Sequence, residues 1–511
     1  MAPCARGVGR WAASAVSVAV LLAAIGGTAS AQRVNFEGKA FVNKGLVGVG
    51  RVPSNARDQL GETLGGVGSA IALDLASWTK NPNGSYSGVL LMLPDRGWNT
   101  LGTLDFKGRL QKFHINFTPF EGAQTNKQNQ LKLSYRKAIQ FHEADGTPTT
   151  GLDATKVLPK TDEFPKLPAG YRTDRLSVDN EGVVVVGDGT FWISDEYGPY
   201  VYHYTANGKL IDVIRPPEAF IPKRLNKNGK PVDDFSANSP PIGVTYNPTP
   251  GNPVSGRQNN QGLEGLAMSP DRTKLFVLLQ SALIQDLDVN TIKTTRRNTR
   301  LLTYDVSKSP ASLTAEYVVQ LPVFQDPTTS QPQLLIAAQS ELHALNNHQF
   351  LVLARDSGSG FGLGGSKSVY RSIDLIDTTG ATNIANTKYD QPKNSIAPNG
   401  VLDPSIVPVK YQKFLDINDN KQLNRFGLHN GEPNDTNNLS EKWEGLAIAP
   451  VFDPENPNDY FLFVSNDNDF MTQDGFMVGK PYVDASGKNV DSMVLVYRVK
   501  LPGYKPPQLP H

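Results

Sequence analysis

The strongest constraint on the fold is one hairpin pattern that occurs four times with a glutamate in nearly the same place. In each copy the glutamate precedes a short run of small or apolar residues, a turn and a second apolar strand, as in a β-hairpin. The four first strands fall in segments 178–185, 261–268, 339–345 and 442–448. A weaker fifth copy, at 66–72, carries Gly68 in place of the glutamate. Repetition of one such unit predicts a repeat architecture.

The repeated hairpin predicts an all-β chain folded as a β-propeller of about six four-stranded blades with long loop insertions. Units recur about every 80–110 residues, whereas a four-stranded blade needs roughly 40–45 residues, so the surplus is assigned to insertions. The five hairpins give five blades, and the segment 110–141 is interpreted as a sixth, irregular blade. A β-sandwich is the alternative, but it would not repeat one polar residue at the same place in successive hairpins.

The N-terminus predicts entry into the secretory pathway. Two arginines among the first ten residues precede an apolar run, and Ala29-Ser30-Ala31 then offers a small-residue cleavage site, which completes the pattern of a signal peptide. We therefore predict a signal peptide at 1–31 and a single propeller domain at 32–511, with recognisable repeats from 65 to 499. The apolar run is too short for a membrane anchor. The mature protein is predicted to be secreted, extracellular and free of the membrane.

Composition excludes several classes of function. The single cysteine, Cys4, leaves with the signal peptide, which removes thiol catalysis and cysteine-ligated metals. Removing Arg6 and Arg10 from a net charge of +1 leaves −1, so the body has no electrostatic footprint for nucleic acid. The predicted partner is a small anionic or ester substrate, and the protein is predicted to be a monomer. Glycosylation sequons, which predict a glycoprotein, begin at Asn83, Asn116, Asn434 and Asn438.

Hairpin geometry places each repeated glutamate near the end of the following strand, because the two ends of a hairpin lie together. Glu181 is thereby predicted near Asp195 and Glu196. The other predicted pairings are Glu264 with Gln280 and Ser281, Glu341 with Arg355 and Asp356, Glu444 with the segment 466–469, and Gly68 with Asp95 and Arg96. If these are the inner strands of the blades, all the ends meet at one mouth of the central channel. Glu181 and Asp195 are predicted to lie within one metal-ligand distance of each other or of a shared ion.

Carboxylates crowded at one mouth repel each other and resist burial, and a hard cation relieves both costs. Because Ca²⁺ takes six to eight oxygen ligands, we predict a Ca²⁺ site there. The predicted metal ligands are Glu181, Asp195, Glu196, Glu264 and Asp467. The predicted catalytic carboxylates are Glu181, Asp195, Glu264, Glu341 and Glu444. The alternative is that each glutamate begins a strand and accepts hydrogen bonds from the backbone of a neighbouring blade.

Three arginines are candidates for binding an anionic substrate. Arg96 and Arg355 fall at the predicted rim, where a guanidinium either forms a structural ion pair or holds an anion bidentately. Arg300 ends a charged loop that is either solvated or in contact with substrate. The sequence contains neither a Gly-x-Ser-x-Gly nucleophile elbow nor a His-Glu-x-x-His zinc motif. The glycine-rich segment 358–365 lacks the lysine and helix of a phosphate-binding loop and is interpreted as a flexible loop.

The hairpins resemble the phytase-like family, which is described as having esterase-like activity of phytase. The segments that carry the resemblance are 94–99, 179–182, 188–199, 263–267 and 443–447. The resemblance implies a propeller akin to the calcium-dependent β-propeller phytases, which hydrolyse phosphate monoesters and bind phosphate with Lys, Arg and acid-held Ca²⁺ at one channel mouth. This sequence departs from that layout at Gly68, which replaces an acid, and at Gln280, where equivalent hairpins end in an acid.

Three functions fit these observations. The leading one is a secreted, metal-assisted hydrolase of phosphate or carboxylate esters. The second is a non-catalytic ligand- or surface-binding propeller whose acidic ring holds a structural Ca²⁺. The third is a hydrolase like the sugar lactonases, which also place Glu, Asn and Asp around one ion.

Overall fold

A computed structural model describes the protein at Met1 and at residues 31–248, 250–325 and 333–507. The signal peptide predicted at 1–31 lies almost wholly outside the described residues. Five antiparallel sheets and four two-stranded ribbons account for the described β-structure. Among the described residues, no helix combines the length and the apolarity needed to cross a membrane.

The first half of the chain forms two N-terminal strands and two blades. The first strands are β1 (Gln32–Phe36) and β2 (Lys39–Val52). Blade 1 is β3 (Ala70–Lys80), β4 (Tyr86–Leu93), β5 (Arg109–Phe117) and β6 (Leu131–Gln140). A ribbon follows, β7 (Lys156–Leu158) and β8 (Leu167–Ala169). Blade 2 is β9 (Asn180–Val185), β10 (Phe191–Asp195), β11 (Val201–Tyr204) and β12 (Leu210–Ile214).

The second half forms three further blades separated by ribbons. The ribbon β13 (Lys223–Leu225) and β14 (Pro231–Asp233) precedes blade 3, which is β15 (Leu263–Met268), β16 (Lys274–Leu279), β17 (Asn298–Asp305) and β18 (Ser312–Gln320). The ribbon β19 (Val323–Gln325) and β20 (Leu334–Ile336) precedes blade 4, which is β21 (Ala338–Ala344), β22 (Gln349–Arg355), β23 (Arg371–Asp377) and β24 (Lys410–Asp416). The last strands are β25 (Lys442–Pro450), β26 (Asp459–Asp467), the ribbon β27 (Gly475–Met477) and β28 (Lys480–Tyr482), and β29 (Ser492–Lys500). The described α-helices are four-residue turns, α1 (Ile292–Thr295) and α2 (Asn420–Leu423).

Strands from both ends of the described chain form the last blade, blade 5. Its sheet has the order β1-β2-β29-β26-β25, with β2 antiparallel to β29. The inner strands β3, β9, β15, β21 and β25 contact one another in succession, and β25 returns to β3. The ring of described blades is therefore closed.

The propeller predicted from the sequence is confirmed, but the number of blades is five and not about six. The segment 110–141, interpreted as a sixth blade, is the outer hairpin β5–β6 of blade 1. Outer hairpins share the strand pattern of inner ones but lack the repeated glutamate, so length and periodicity alone do not assign them to a blade.

Each blade is packed between two others, and this explains why the middle strands are apolar on both faces. Every residue of β26 and of β22 is buried, and their central segments 460–464 and 350–354 are uninterrupted runs of aromatic and aliphatic residues, as expected for strands covered on both sides. The cores lie between adjacent blades. Trp78, Tyr86 and Phe117 of blade 1 pack edge-on against Phe461 of blade 5, for example.

The four predicted sequons differ in exposure. Asn83 and Asn116 are exposed, and Asn434 is half-buried. The Asn438 side chain is buried and donates to the carbonyl oxygen of Ser366 at 2.8 Å. A glycan has no room on Asn438 in this fold, so glycosylation stays a prediction for the other three positions.

Candidate metal centre

A β-bulge positions the repeated glutamates at the mouth end of the inner strands. In blade 2, Glu181 and Gly182 together face the single residue Ser194. The register shifts in the same way at Glu264 in blade 3 and at Glu444 in blade 5. Because a bulge turns a side chain out of the regular alternation of a strand, Glu181, Glu264 and Glu444 occupy equivalent positions.

The glycine after each of these glutamates is required by the close approach of the next blade. A Cβ on Gly182 would lie 2.6 Å from the carbonyl oxygen of Glu264 in blade 3, and a Cβ on Gly265 would lie 2.8 Å from the backbone nitrogen of Leu342 in blade 4. The Glu-Gly pair thus combines a mouth-facing carboxylate with a tight contact between blades.

Blade 4 and blade 1 depart from this arrangement. In blade 4 the bulge falls at Ser340, one residue earlier, so Glu341 is not equivalent to the other glutamates. Its Oε1 accepts hydrogen bonds from the backbone N–H groups of Leu342 at 2.8 Å and of Leu266, in blade 3, at 3.2 Å. In blade 1, a Cβ on Gly68 would lie 1.9 Å from the carbonyl oxygen of Asn466. No side chain fits there.

Three carboxylates of blade 2 form the first acidic cluster, the blade-2 triad. Asp179, Glu181 and Glu196 each place one oxygen so that all three oxygens lie within 4.8 Å of one another. All three residues are buried. Oδ1 of Asp179 and Oε1 of Glu196 are buried without a hydrogen-bond partner among the described residues. Buried oxygens of this kind call for a cation or a proton.

The second acidic cluster, the blade-5 cluster, consists of Asp95, Asp467 and Asp469, whose oxygens also lie within 4.8 Å of one another. The ammonium of Lys442 lies inside it. Lys442 Nζ is 2.5 Å from Asp467 Oδ2, 3.1 Å from Asp469 Oδ1 and 3.8 Å from Asp95 Oδ2. The same nitrogen is 3.7 Å from Glu444 Oε2.

Two of the three predicted substrate-binding arginines lie at this mouth. Arg96 Nη1 is 2.7 Å from Asp179 Oδ2 and also donates to Asn260. Arg355 Nη2 is 2.5 Å from Glu444 Oε1. Arg300 is fully buried in an ion triad, 2.6 Å from Asp286 and 2.9 Å from Glu316. Its Nη1 and Nη2 atoms both form ion pairs in this triad, so Arg300 has a structural role here. Substrate binding by Arg300 stays a sequence prediction, and the burial of its side chain disfavours it.

The structure brings together some predicted ligands and separates others. Glu181 and Glu196 share the blade-2 triad, whereas Asp467 belongs to the blade-5 cluster. Asp195 belongs to neither, because its two oxygens accept the backbone N–H groups of Asp179 at 2.6 Å and of Gly198 at 2.7 Å. Glu264 accepts from Gln280 through Oε1, and its Oε2 is buried without a partner among the described residues.

Sequence reasoning missed Asp179, Asn260 and Lys442 at the mouth, and it placed Asp469 near Glu444 without naming it as a metal ligand. Asp179 and Lys442 had a usable signal, since each stands two residues before a repeated glutamate. Asn260 had none, because it reaches the mouth from a long insertion.

Burial and mutual repulsion dominate the electrostatics of the mouth. Burial, together with the carboxylates of Glu264 and Asp179, raises the pKa of Glu181 well above its usual value. Burial and the neighbouring Asp179 raise the pKa of Glu196 to about 7. Burial raises the pKa of Asp467 to about 7 against the opposing effect of Lys442. Burial and repulsion therefore favour the protonated form of these carboxylates wherever no cation compensates their charge.

The fold and the site define a class of protein: a five-bladed propeller with buried carboxylates and arginines at one mouth. Residues 85–470 match the phytase-like family, described as esterase-like activity of phytase. The chain belongs to this family, which confirms the resemblance inferred from its hairpins.

One relative and three solved structures complete the comparison. An uncharacterized secreted protein of Arthroderma benhamiae is 44% identical over 458 residues, covering 84% of this chain and 88% of the relative. A luciferin-regenerating enzyme aligns over 89% of this chain and 97% of its own, at 12% identity and a TM-score of 0.27. A putative 6-phosphogluconolactonase from Bacteroides fragilis covers 82% and 86% of the two chains, at 8% identity and 0.23. Hydrazine synthase of Kuenenia stuttgartiensis covers 83% and 97%, at 10% identity and 0.29. At these TM-scores the structural alignments carry no argument.

Proposed function

We propose that the protein is a secreted, metal-assisted hydrolase of phosphate or carboxylate esters, with Ca²⁺ as its metal. The observation that carries the proposal is the blade-2 triad, with its two unpartnered, buried oxygens beside a buried arginine. Membership of a family described by esterase-like activity supports the choice of ester substrates.

The donor set of the triad fits a hard divalent cation. Asp179, Glu181 and Glu196 offer carboxylate oxygens only, which suit Ca²⁺ and exclude a preference for softer metals. Arg96 binds Oδ2 of Asp179, and Oδ1 has no hydrogen-bond partner within the described ranges, so the arginine would orient this ligand without replacing the cation. A cation held by these oxygens would polarise the ester as a Lewis acid and neutralise the charge that develops in the transition state.

The remaining steps fall to side chains of the mouth. Arg96 and Arg355 lie on its two sides and would orient an anionic substrate through their guanidinium groups. Glu264 is the best placed acceptor for the proton of the attacking water, because its Oε2 is buried and has no hydrogen bond within the described structure. Burial and the nearby carboxylate of Glu196 raise the pKa of Glu264 well above its usual value, which makes its ionised carboxylate a stronger base toward that proton.

Secretion rests on independent support. The first 31 residues have the pattern of a signal peptide. The relative from Arthroderma benhamiae, which is 44% identical, is described as a secreted protein. We therefore propose that the mature propeller acts outside the cell.

The test is a substrate panel with and without Ca²⁺. Chelator-treated protein is assayed on 4-nitrophenyl phosphate, 4-nitrophenyl acetate and a sugar lactone, before and after Ca²⁺ is restored. We expect Ca²⁺-dependent release of 4-nitrophenol from at least one ester, and loss of that activity in Glu196→Gln. Turnover that chelator and Glu196→Gln both leave unchanged would contradict the metal mechanism, and turnover of the lactone alone would favour the lactonase alternative.

A non-catalytic binding propeller is the second candidate, and the burial of the mouth favours it. Every carboxylate of the triad is at most 6% exposed, as is typical of a structural ion enclosed by its ligands. This candidate predicts that Ca²⁺ raises the melting temperature while the whole panel shows no turnover.

A further inference from the structure

The near-repetition of the blades allows one position to be compared between blade 2 and blade 5. In the inner hairpins of blades 2 and 5, the residue two positions before the repeated glutamate faces the end of the second strand. In blade 2 the pair is Asp179 and Glu196, and the backbone N–H of Glu196 donates to the backbone carbonyl oxygen of Asp179 at 2.9 Å. In blade 5 the pair is Lys442 and Asp467, which are direct partners in the strand register. The same position thus carries two acids in one blade, and an acid with a base in the other.

The lysine occupies the place that a cation would take in the blade-5 cluster. Its ammonium lies within 3.8 Å of the carboxylates of Asp467, Asp469 and Asp95, and within 3.7 Å of Glu444. Three of these acids belong to blade 5 and Asp95 to blade 1, so a single nitrogen joins the two blades at the point of ring closure. Asp469 is fixed by the backbone as well, since its N–H donates to Asp467 Oδ1 at 2.7 Å.

The blade-2 triad has no equivalent cation among the described residues. Its nearest base, Arg96, forms an ion pair with Oδ2 of Asp179 and donates a hydrogen bond to the side-chain oxygen of Asn260. Oδ1 of Asp179 and Oε1 of Glu196 stay buried without a hydrogen-bond partner in the part of the chain that the structure describes. The carboxylate oxygens of each cluster lie within 4.8 Å of one another, but only in the blade-5 cluster does one side-chain cation of the described residues lie within 4 Å of all three carboxylates.

We infer that the mouth of this propeller holds one divalent cation, on the blade-2 triad, and that Lys442 fills the blade-5 cluster in place of a second. The inference rests on the proposed metal site and specifies how many ions it takes. Removing the lysine side-chain charge frees four carboxylates in a site of Ca²⁺ ligand chemistry, so a variant without this ammonium gains a cation site.

The experiment counts Ca²⁺ per chain by native mass spectrometry after chelation and dialysis against Ca²⁺. The intact protein is expected to bind one ion, and Lys442→Met two. Lys410→Met is the matched control, because it removes an exposed lysine that pairs with Glu37 at 2.6 Å, and it should keep one ion. Glu196→Gln should bind none, and Asp469→Asn, which alters only the cluster filled by the lysine, should keep one.

Each outcome decides between the two claims. Two ions on the unmodified protein, or one ion on a folded Lys442→Met, would overturn this inference while leaving the proposed function in place. No ion on the unmodified protein would contradict the metal-assisted mechanism itself. If Lys442→Met does not fold, Asp469→Asn is decisive: one ion supports the assignment, and none places the ion in the blade-5 cluster and overturns it.

Discussion

The chemistry of the mouth depends on where each glutamate falls relative to a bulge. Glu181, Glu264 and Glu444 stand at the bulge and face the mouth, whereas Glu341 stands one residue later and binds backbone. From the sequence the four looked equivalent, because a one-residue offset in the bulge leaves the hydrophobic pattern of the strand unchanged. The repeated glutamate therefore faces the mouth in blades 2, 3 and 5, and it accepts hydrogen bonds from the backbone of its own and the neighbouring blade in blade 4.

Glu264 and Glu341 are expected to respond in opposite ways to substitution. Glu264→Gln removes the proposed proton acceptor and should lower kcat by about 100-fold or more, with little change in stability. Glu341→Ala leaves two buried backbone N–H groups without their acceptor and should cost about 1–3 kcal/mol of stability, with kcat retained. Initial rates and urea unfolding of both variants check this. Loss of kcat in Glu341→Ala with unchanged stability would reverse the assignment and restore Glu341 as a catalytic residue.

Glu316 gives the protein a pH dependence outside the mouth. It is buried beside Arg300, and burial raises the pKa of Glu316 to about 7, with Arg300 opposing the rise. In the unfolded chain the carboxyl has its ordinary pKa near 4.5. Between these two values the folded state keeps a proton that the unfolded chain has released, so this residue's contribution to stability falls as pH rises from about 4.5 to about 7.

We predict that the stability of Glu316→Gln depends less on pH than the stability of the unmodified protein. Urea midpoints measured at pH 5 and pH 8 give the slope for each, with Glu163→Gln, at an exposed position, as the matched control. Identical slopes for the unmodified protein and Glu316→Gln would show that Glu316 titrates alike in both states.

At the scale of elements, the inner hairpins were predictable and the outer ones were not. The inner hairpins repeat a polar residue and a tight glycine contact, and both are visible in the sequence. The segment 110–141 offers only alternating apolar residues, so its place as the outer hairpin of blade 1 depends on pairing between β4 and β5. Residues from long insertions, such as Asn260, were beyond reach for the same reason: their position depends on tertiary packing and not on a local period.

Gly68 is expected to be the most sensitive glycine at the junction of blades 1 and 5. Gly68→Ala places a methyl group 1.9 Å from a backbone carbonyl oxygen, which only a shift of backbone relieves. We expect a loss of about 3 kcal/mol or more, measured by chemical unfolding. Gly364→Ala, where a Cβ meets nothing within 4 Å, should change stability by about 0.5 kcal/mol or less. Equal effects of the two substitutions would show that the blades at Gly68 are not in close contact.

At the scale of the whole molecule, the ring depends on closure by strands distant in sequence. β2 pairs with β29 over most of its length and buries Phe41, Leu46 and Val49 in the core of blade 5. No local pattern indicates this pairing, so the N-terminal strands lay outside the repeats predicted from the sequence.

Deletion of residues 32–52 is expected to abolish cooperative unfolding, because it uncovers β29 and removes part of the blade-5 core. Deletion of residues 32–36 alone removes only the outermost strand β1 and should leave a cooperative transition at a somewhat lower temperature. Calorimetry of both truncations distinguishes these results. A cooperative transition in the longer deletion would mean that closure is not needed for the fold.

The central claim is that the blade-2 triad holds a divalent cation, and the position of a bound metal tests it most directly. Crystals of the protein are soaked with Mn²⁺, which accepts the same oxygen ligands, and diffraction data are collected at a wavelength where Mn²⁺ scatters anomalously. We predict one peak between the carboxylates of Asp179, Glu181 and Glu196, and its loss in Glu196→Gln. A peak-free mouth in the unmodified protein, or a peak that persists in Glu196→Gln, would contradict the account.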